Sequence, residues 1–261
     1  MGKRATWAGT LGFGLVSIPV KLYKGNEDPT VKFNQLHKEC GGKIELPKRC
    51  SKCGKIDLVQ EDIIKGYPLD KDEWLQMTDA DFENLPIGDK DTIQIVEFVD
   101  PKEVDPRYIK NDFYYATPDK GGAKAFALLF TGIVSEGKAA IAKYTLRDKQ
   151  HLVLIRPLND ILLVQPLKYS TELRDATEYS EGLADTKEDE LKIAKQLISK
   201  LTKKAELKNF HDEYTEALKE RIEAKLAGGV VKIQPQAAAI KEVGLLDALV
   251  ASVKAAEPVA A

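Results

Sequence analysis

Cysteine, histidine and tryptophan are scarce in this chain of 261 residues, with three, three and two copies. The cysteines, Cys40, Cys50 and Cys53, all fall in one short stretch. An odd number, so clustered, argues against a disulfide framework in a chain of this length. No apolar run reaches the roughly 20 residues that a membrane-spanning helix needs. The start, MGKRATWAGT, is basic but lacks the sustained apolar stretch and cleavage site of a secretory signal. The expected location is therefore the cytoplasm, with no membrane partner.

Nucleotide-binding fingerprints are also missing. Gly9, Gly12 and Gly14 spell G-x2-G-x-G, which is not the dinucleotide pattern, and no P-loop occurs. No nucleotide cofactor is expected. The histidines are His37, His151 and His211. His151 opens an apolar strand and His211 opens a helix, so both are expected to be structural. No Ser/His/Asp or Cys/His constellation forms, and the chain is not expected to be an enzyme.

A net charge of −2 is too small to point to a polyanionic partner, but it hides a pattern. Residues 1–60 hold 11 Lys and Arg against 5 Asp and Glu, and residues 120–174 hold 9 against 4. Residues 61–119 between them hold 6 against 16, and residues 175–261 hold 13 against 16. Folding that gathers the two basic blocks on one face would create a positive field suited to phosphate, whatever the total. Solvated faces are the plainer outcome of such blocks.

With 43% hydrophobic and 31% charged residues, the chain can bury a core. Up to about residue 180 it reads as strand-rich. LVSIPVKLY (15–23), TIQIVEFV (92–99), AAIAKYTLR (139–147), HLVLIRPL (151–158) and DILLVQPLKY (160–169) alternate or are rich in β-branched residues. In the second, Ile93, Ile95 and Glu97 share one face, and Gln94, Val96 and Phe98 the other. Residues 119–137 read as a turn at Gly121 and Gly122 feeding one helix. Such a series suggests an antiparallel barrel or sandwich.

Beyond about residue 180 the period becomes helical. Thr186 opens a capping box before Leu191, Ala194, Leu197, Ile198 and Leu201. A second helix runs from Asp212 through Ala217, Leu218 and Ile222 to Leu226, with Gly228 and Gly229 as its stop. VVKIQPQAAA reads as a linker. VGLLDALVASVKAA (243–256) reads as a short amphipathic helix with Leu245, Leu246, Leu249, Val250 and Val253 on one face.

The strongest chemical signal is His37-x2-Cys40-x9-Cys50-x2-Cys53. It offers four ligands of the right kind for tetrahedral Zn²⁺, in two pairs whose spacing suits a knuckle. Four protein ligands leave no position for a reactive water, so the expected role is structural. Two other readings are open: a Cys50–Cys53 redox pair, and inert thiols. Lys48, Arg49, Lys52 and Lys55 stand beside the ligands.

FGLVSIPVKLY (13–23), FNQLHKECGGKI (33–44), CSKCGK (50–55), DIIKGY (62–67), FYYATPDKGGAKAFALL (113–129), AIAKYTLRDKQHLVLIRP (140–157) and LRDA (173–176) together resemble the prokaryotic Ku family, in order, over roughly residues 5–228. The resemblance implies a mixed α/β chain. A Ku-core antiparallel β-barrel with a DNA-encircling bridge and a zinc-ribbon-like segment (about 33–56) would occupy residues 1–180. A helical arm (181–228) would follow, then a linker and short C-terminal helix (229–261). It implies a homodimeric ring on double-stranded DNA ends, acting in non-homologous end joining, recruiting a DNA ligase D-type repair ligase and associating with the nucleoid when bound. Many bacterial members carry a lysine-rich tail where these residues read AAEPVAA, so retention on DNA is expected to rest on the ring.

The candidate DNA contacts, from the basic blocks and the matching motifs, are Lys21, Lys24, Lys124, Lys143, Arg147, Lys149 and Arg174. Arg147 and Lys149 lead, being read as a turn between two strands. Leu245, Leu246, Leu249, Val250 and Val253 are the candidate partner contacts, with packing on the chain's own arm as the other reading. Two further function classes stay open. One is a zinc-containing nuclease using the acidic block, Asp70, Asp72, Asp79, Asp81, Asp89 and Asp91, although TDADFENLP (78–86) reads better as a capped short helix. The other is a protein adaptor acting through the last helix.

Overall fold

A computed structural model describes residues 4–71, 73–83, 89–146, 149–180, 182–228 and 245–255. In chain order it forms β1 (Trp7–Phe13), β2 (Val16–Lys24), β3 (Lys65–Asp70), β4 (Glu73–Met77), β5 (Thr92–Val99), β6 (Tyr114–Pro118), α1 (Ala123–Glu136), β7 (Ala139–Leu146), β8 (Lys149–Leu158), β9 (Ile161–Leu167), α2 (Glu188–Leu201), α3 (Glu213–Leu226) and α4 (Leu245–Ala255). Two compact units result. One joins residues up to Asp28 with Asn34–Asp175; the other joins Pro29–Phe33 with residues from Ala176 onward.

Seven strands of the first unit close a barrel in the order β1-β2-β6-β9-β8-β7-β5. Alternation explains why. Ile18, Val20 and Leu22 of β2, Val153 and Ile155 of β8, and Leu162 and Val164 of β9 are spaced by two and join one buried cluster. The barrel is not wholly antiparallel, as the sequence reading had it. β1 and β5 pair in parallel, Leu11 opposite Ile93. A parallel pair needs a long crossover, and residues 25–91 supply it.

β1 was not among the expected strands, because its glycines lower strand propensity. Their use is close approach. A Cβ on Gly9 would run into the Trp7 ring and the Asp91 carbonyl, and one on Gly12 into the Gln94 side chain. Gly9 and Gly12 of the G-x2-G-x-G run thus serve packing at the β1–β5 seam, and Gly14, with a φ of 58°, serves the turn into β2. The strict alternation expected for 92–99 also fails. The register shifts between Ile95 and Glu97, leaving Val96 as the extra residue of a bulge, exposed.

Strand register defines the two barrel ends. β6 ends and β7 begins at the end where Phe13 faces Val16 and Leu158 faces Ile161. α1 joins these strands, so it lies across that end, with Phe126, Leu129 and Ile133 in the barrel core. At the far end β2 stops, at Lys24 opposite Tyr114, and β5 starts, with Ile93 opposite Tyr144. The crossover therefore leaves and returns at the far end. Outside the barrel, Val99, Val104, Tyr108 and Ile109 cover Ala139, Leu154 and Leu167 in a second cluster. This packing buries β9 on both faces.

Gly122 is the N-cap of α1 and lies against the carbonyl of Pro19, about 2.5 Å from where a Cβ would stand. Gly122→Ala should therefore destabilise by about 1–3 kcal/mol through overpacking. Gly132, in the middle of the same helix, has open space around it. Gly132→Ala should gain roughly 0.5–1 kcal/mol from helix propensity. Urea midpoints moving in opposite directions for the two variants would bear out this placement of α1.

In the second unit α2 begins after Lys187, not Thr186, with no side-chain cap. Glu188, Asp189 and Glu190 in its first turn favour that end through the helix dipole. Asp212, the expected start of α3, is its cap, accepting from the Thr215 N–H at 3.0 Å and its hydroxyl at 2.6 Å. α4 packs against α2. The expected linker VVKIQPQAAA lies outside the described residues.

Candidate nucleic-acid interface

The His37–Cys53 segment folds as two small turns, each holding one pair of the candidate ligands. In the first, Leu36 bridges Lys43, the Gly41 N–H donates to the His37 carbonyl at 2.8 Å, and Gly41 takes a φ of 70°. His37 Nδ1 lies 3.1 Å from Cys40 Sγ. In the second, the Cys50 N–H donates to the Lys55 carbonyl at 2.9 Å, the Gly54 N–H to the Cys50 carbonyl at 3.0 Å, and Gly54 has a φ of 77°. Glycine is needed at both left-handed positions. The Cys53 N–H points at Cys50 Sγ from 3.5 Å. That bond first, then the Cys53 side chain and the Lys52 N–H, pulls the Cys50 thiol below its ordinary pKa. Each pair is thus presented on a knuckle, as metal binding requires. The structure does not bring the pairs together: among the described residues no three His, Cys, Asp or Glu gather closely enough to hold an ion.

The seven candidate DNA contacts separate. Lys21 is engaged with Asp119 at 2.6 Å, an ion pair that raises the lysine pKa and lowers that of the carboxyl. On the outer face of β2 it braces that strand against the turn before α1, its ammonium committed to the carboxylate. Lys24 sits at the far end of the barrel, 3.2 Å from Asp112. Lys143, exposed on β7, stands near that end, opposite Gln94 and Leu152. Lys149 is exposed but is the first residue of β8, paired with Leu146, and not part of the turn. Arg147 lies outside the described residues. Lys124 is exposed on the first turn of α1, at the opposite end, and Arg174 is exposed beyond the 3-10 turn Ser170–Glu172.

Two far-end lysines were missed. Ile109 bridges Leu167, the Lys110 N–H donates to the Pro166 carbonyl at 2.8 Å, and the Lys168 N–H to the Tyr108 carbonyl at 2.7 Å. This short pairing sets Lys110 and Lys168 beside Tyr114 and His151. Lys168 carried only the signal of its place in the second basic block, and Lys110, inside the acidic block, carried none; the contact that joins them spans some sixty residues.

The acidic block is not purely turns. β3 and β4 form a hairpin within it, all but Met77 exposed. Several of its carboxylates do structural work. Asp81 accepts from the Thr78 N–H and hydroxyl at 2.7 and 2.8 Å, capping the 3-10 turn Asp79–Phe82, and Asp89 accepts from Thr92. Both are held below the usual carboxylate range by these bonds. Residues 84–88 lie outside the described residues.

On α4 the expected apolar stripe is divided. Leu249 and Val253 are half-buried, while Leu246 and Val250 stay exposed; the Leu245 side chain lies outside the described residues. Lys200 of α2 donates to the Val253 carbonyl at 3.4 Å. Part of the stripe is therefore covered by the chain's own arm, the alternative that the sequence left open. The reason is complementarity: Ile193, Ala194 and Leu197 of α2 are half-buried at helical spacing. Leu191, Ile198 and Leu201, expected on that face, are exposed.

Among the described residues no helix is long and apolar enough to cross a membrane. Residues 12–200, from β1 into α2, match the family model described as the Ku70/Ku80 beta-barrel domain. The chain is 41% identical over 254 residues to the non-homologous end joining protein Ku of Archaeoglobus fulgidus, covering 97% of this chain and 99% of that one. It is 36% identical to the protein of the same name from Bacillus subtilis, covering 95% and 80%, and 35% identical to that of Lachnoclostridium phytofermentans, covering 94% of each. A seven-stranded barrel, a match across most of it and such relatives along nearly the whole length lead to one assignment: the chain belongs to the Ku family.

Proposed function

We propose that two copies of this chain form a ring that threads onto a double-stranded DNA end, without reading its sequence and without catalysis, protects that end and recruits a D-type repair ligase. One observation carries the reading. Strand register gathers Lys24, Lys110, Lys143, Lys149 and Lys168 toward the barrel end from which the 25–91 crossover leaves and to which it returns. A long excursion rooted in a basic surface suits a bridge over a polyanion. Phosphate contacts position a protein on duplex without specifying bases. A free end is then selected by topology. Gel shifts test this: linear duplex should be bound, whereas closed circles and hairpin-blocked ends should not. Shortening of linear DNA in the presence of Mg²⁺ would instead support a nuclease.

The second unit supports the homodimer. Leu183, Leu191, Ile198, Leu201, Leu207, Phe210, Tyr214 and Leu226 are exposed, and exposed apolar surface of this kind, where it is contiguous, marks protein–protein contacts. A second copy is the expected cover, and light scattering at micromolar concentration should give twice the chain mass.

Structural Zn²⁺ is part of the proposal. The donor set His37, Cys40, Cys50 and Cys53 fits a closed tetrahedral site, in which the ion would cross-link the two knuckles. For the ligase, the exposed edge of α4 is the proposed contact, an apolar helix face laid in a partner's groove. Asp in place of both Leu246 and Val250 should leave end binding intact and remove stimulation of ligation. Truncation after Leu226 should do the same. If the truncated chain loses DNA binding, α4 serves only to cover α2.

A further inference from the structure

The two barrel ends are closed by different chemistry. At one, α1 inserts Phe126, Leu129 and Ile133. At the far end several of the last interior-facing positions are rings: tyrosine, histidine and proline. Tyr114 faces Val164 and Tyr144 faces His151, while Pro166 faces Val153. With Lys110, Asn111, Asp112 and Lys168 on the rim, Tyr114, Tyr144, His151 and Pro166 line a cavity of about 450 Å³. That volume lies in the range of small-molecule sites, which favour the mouths of barrels.

The wall is built for a flat ring. The Tyr144 and His151 rings stack, 5.1 Å between centroids and 26° between planes. Burial, then the neighbouring Tyr114, pushes the Tyr144 phenol up to about 12, so it keeps its proton and can donate. The rim is cationic on balance. Lys168 Nζ donates to the Arg107 carbonyl at 3.0 Å, Lys110 lies 3.2 Å from Glu172, and Asp112 is answered by Lys24 at 3.2 Å. Asn111 is exposed there and offers an amide donor and acceptor.

We propose that this mouth receives one unpaired nucleotide from a DNA end, its base against the Tyr144–His151 wall and its phosphate toward Lys110 and Lys168. The inference rests on the end-binding reading above. A base inside a duplex has both faces stacked, and the terminal pair of a blunt end exposes one face but keeps its edge engaged with its partner, so only an overhanging or frayed nucleotide is free to enter the mouth. Stacking tolerates any base, because every base has such a face. The pocket would therefore sense the structure of an end, and not its sequence.

The probe is 2-aminopurine, whose fluorescence falls on stacking, placed in a two-nucleotide overhang or inside a blunt duplex. Binding of both DNAs is followed in parallel by anisotropy. Wild-type protein should dim the overhang probe at least about twofold, on the expectation of aromatic stacking, and leave the internal probe unchanged. His151→Ala and Asn111→Ala should each weaken the dimming while blunt-end binding and Tm are kept. Asn111 is exposed, so its variant reports even if the loss of His151 disturbs the barrel. Unchanged overhang fluorescence on a DNA that anisotropy shows to be bound would overturn the proposal. Undiminished dimming in both variants would do so as well. A free 2-aminopurine mononucleotide binding as tightly as the overhang would overturn the assignment to DNA ends. Absence of binding to either DNA would instead remove the end-binding reading on which it rests.

Discussion

Replacing Arg147 and Lys149 together by glutamine should weaken binding to duplex ends of every sequence alike, by roughly 50-fold at 0.1 M salt, and lower the salt slope by about two. The magnitude follows from counterion release. Each lost phosphate contact on B-DNA removes about 0.9 from the slope of log K against log salt. Two contacts, one decade below molar salt, give about 1.8 log units. Lys149 is the structural anchor of this expectation. It is exposed at the start of β8, at the far end of the barrel. Glu172 already accepts from the Tyr169 N–H at 3.0 Å and pairs with Lys110, and Lys149 adds to these in holding its carboxyl below the usual range. Lys21→Gln is the control. With its ammonium engaged by Asp119 at 2.6 Å, it should leave the salt slope unchanged. Equilibrium titrations from 50 to 200 mM salt on two unrelated sequences decide. An unchanged slope in the double variant would put the DNA on another face.

Removing zinc should undo the segment from about residue 34 to 59 while leaving the barrel folded. No described residue of that segment is buried, and Leu36, Leu46, Ile56 and Val59 are all more than half exposed. So small a segment with no apolar core needs a cross-link, and a structural zinc site supplies about 10–16 kcal/mol of binding free energy at neutral pH. Purified protein should contain about one zinc per chain. Chelation, or Cys50→Ser, should open the segment to limited proteolysis by at least about tenfold, given that free energy. The barrel core, Ile18, Val153, Ile155 and Leu162, makes no use of these ligands, so the main melting transition should stay. Protein without metal, with three thiols titrating freely, would end the zinc proposal.

Much of the barrel was legible in the chain because period-two burial leaves a direct trace. β2, β5, β7, β8 and β9 are the segments that alternate or are rich in apolar and β-branched residues. β1 escaped because it serves the seam with glycine, which carries no apolar signal. β6 has only five residues, too few for a period to show. The bulge at Val96 left no mark, since a register shift depends on the partner strand. Helix starts were readable where a side chain caps, as at Asp212, and misread where the dipole alone sufficed, as before α2.

The candidate metal ligands were visible as a spacing, because a knuckle is local. Their union in one site is not local, and the fold shows two knuckles rather than a closed group. Lysines announced only their charge. Whether an ammonium is committed, as Lys21 is to Asp119 across 98 residues, or set at the barrel mouth, as Lys110 and Lys168 are, is settled by strand order and by the Ile109–Leu167 bridge. By itself the sequence determined the family, the strand-rich core and the helical arm, since these follow from short-range periodicity and collinear motifs. Only the tertiary structure decided the parallel closure of β1 on β5, the end from which the crossover leaves, and the aromatic mouth where Tyr144 meets His151. Each depends on which distant residues lie opposite one another, and that pairing energy is not carried by any one stretch of chain.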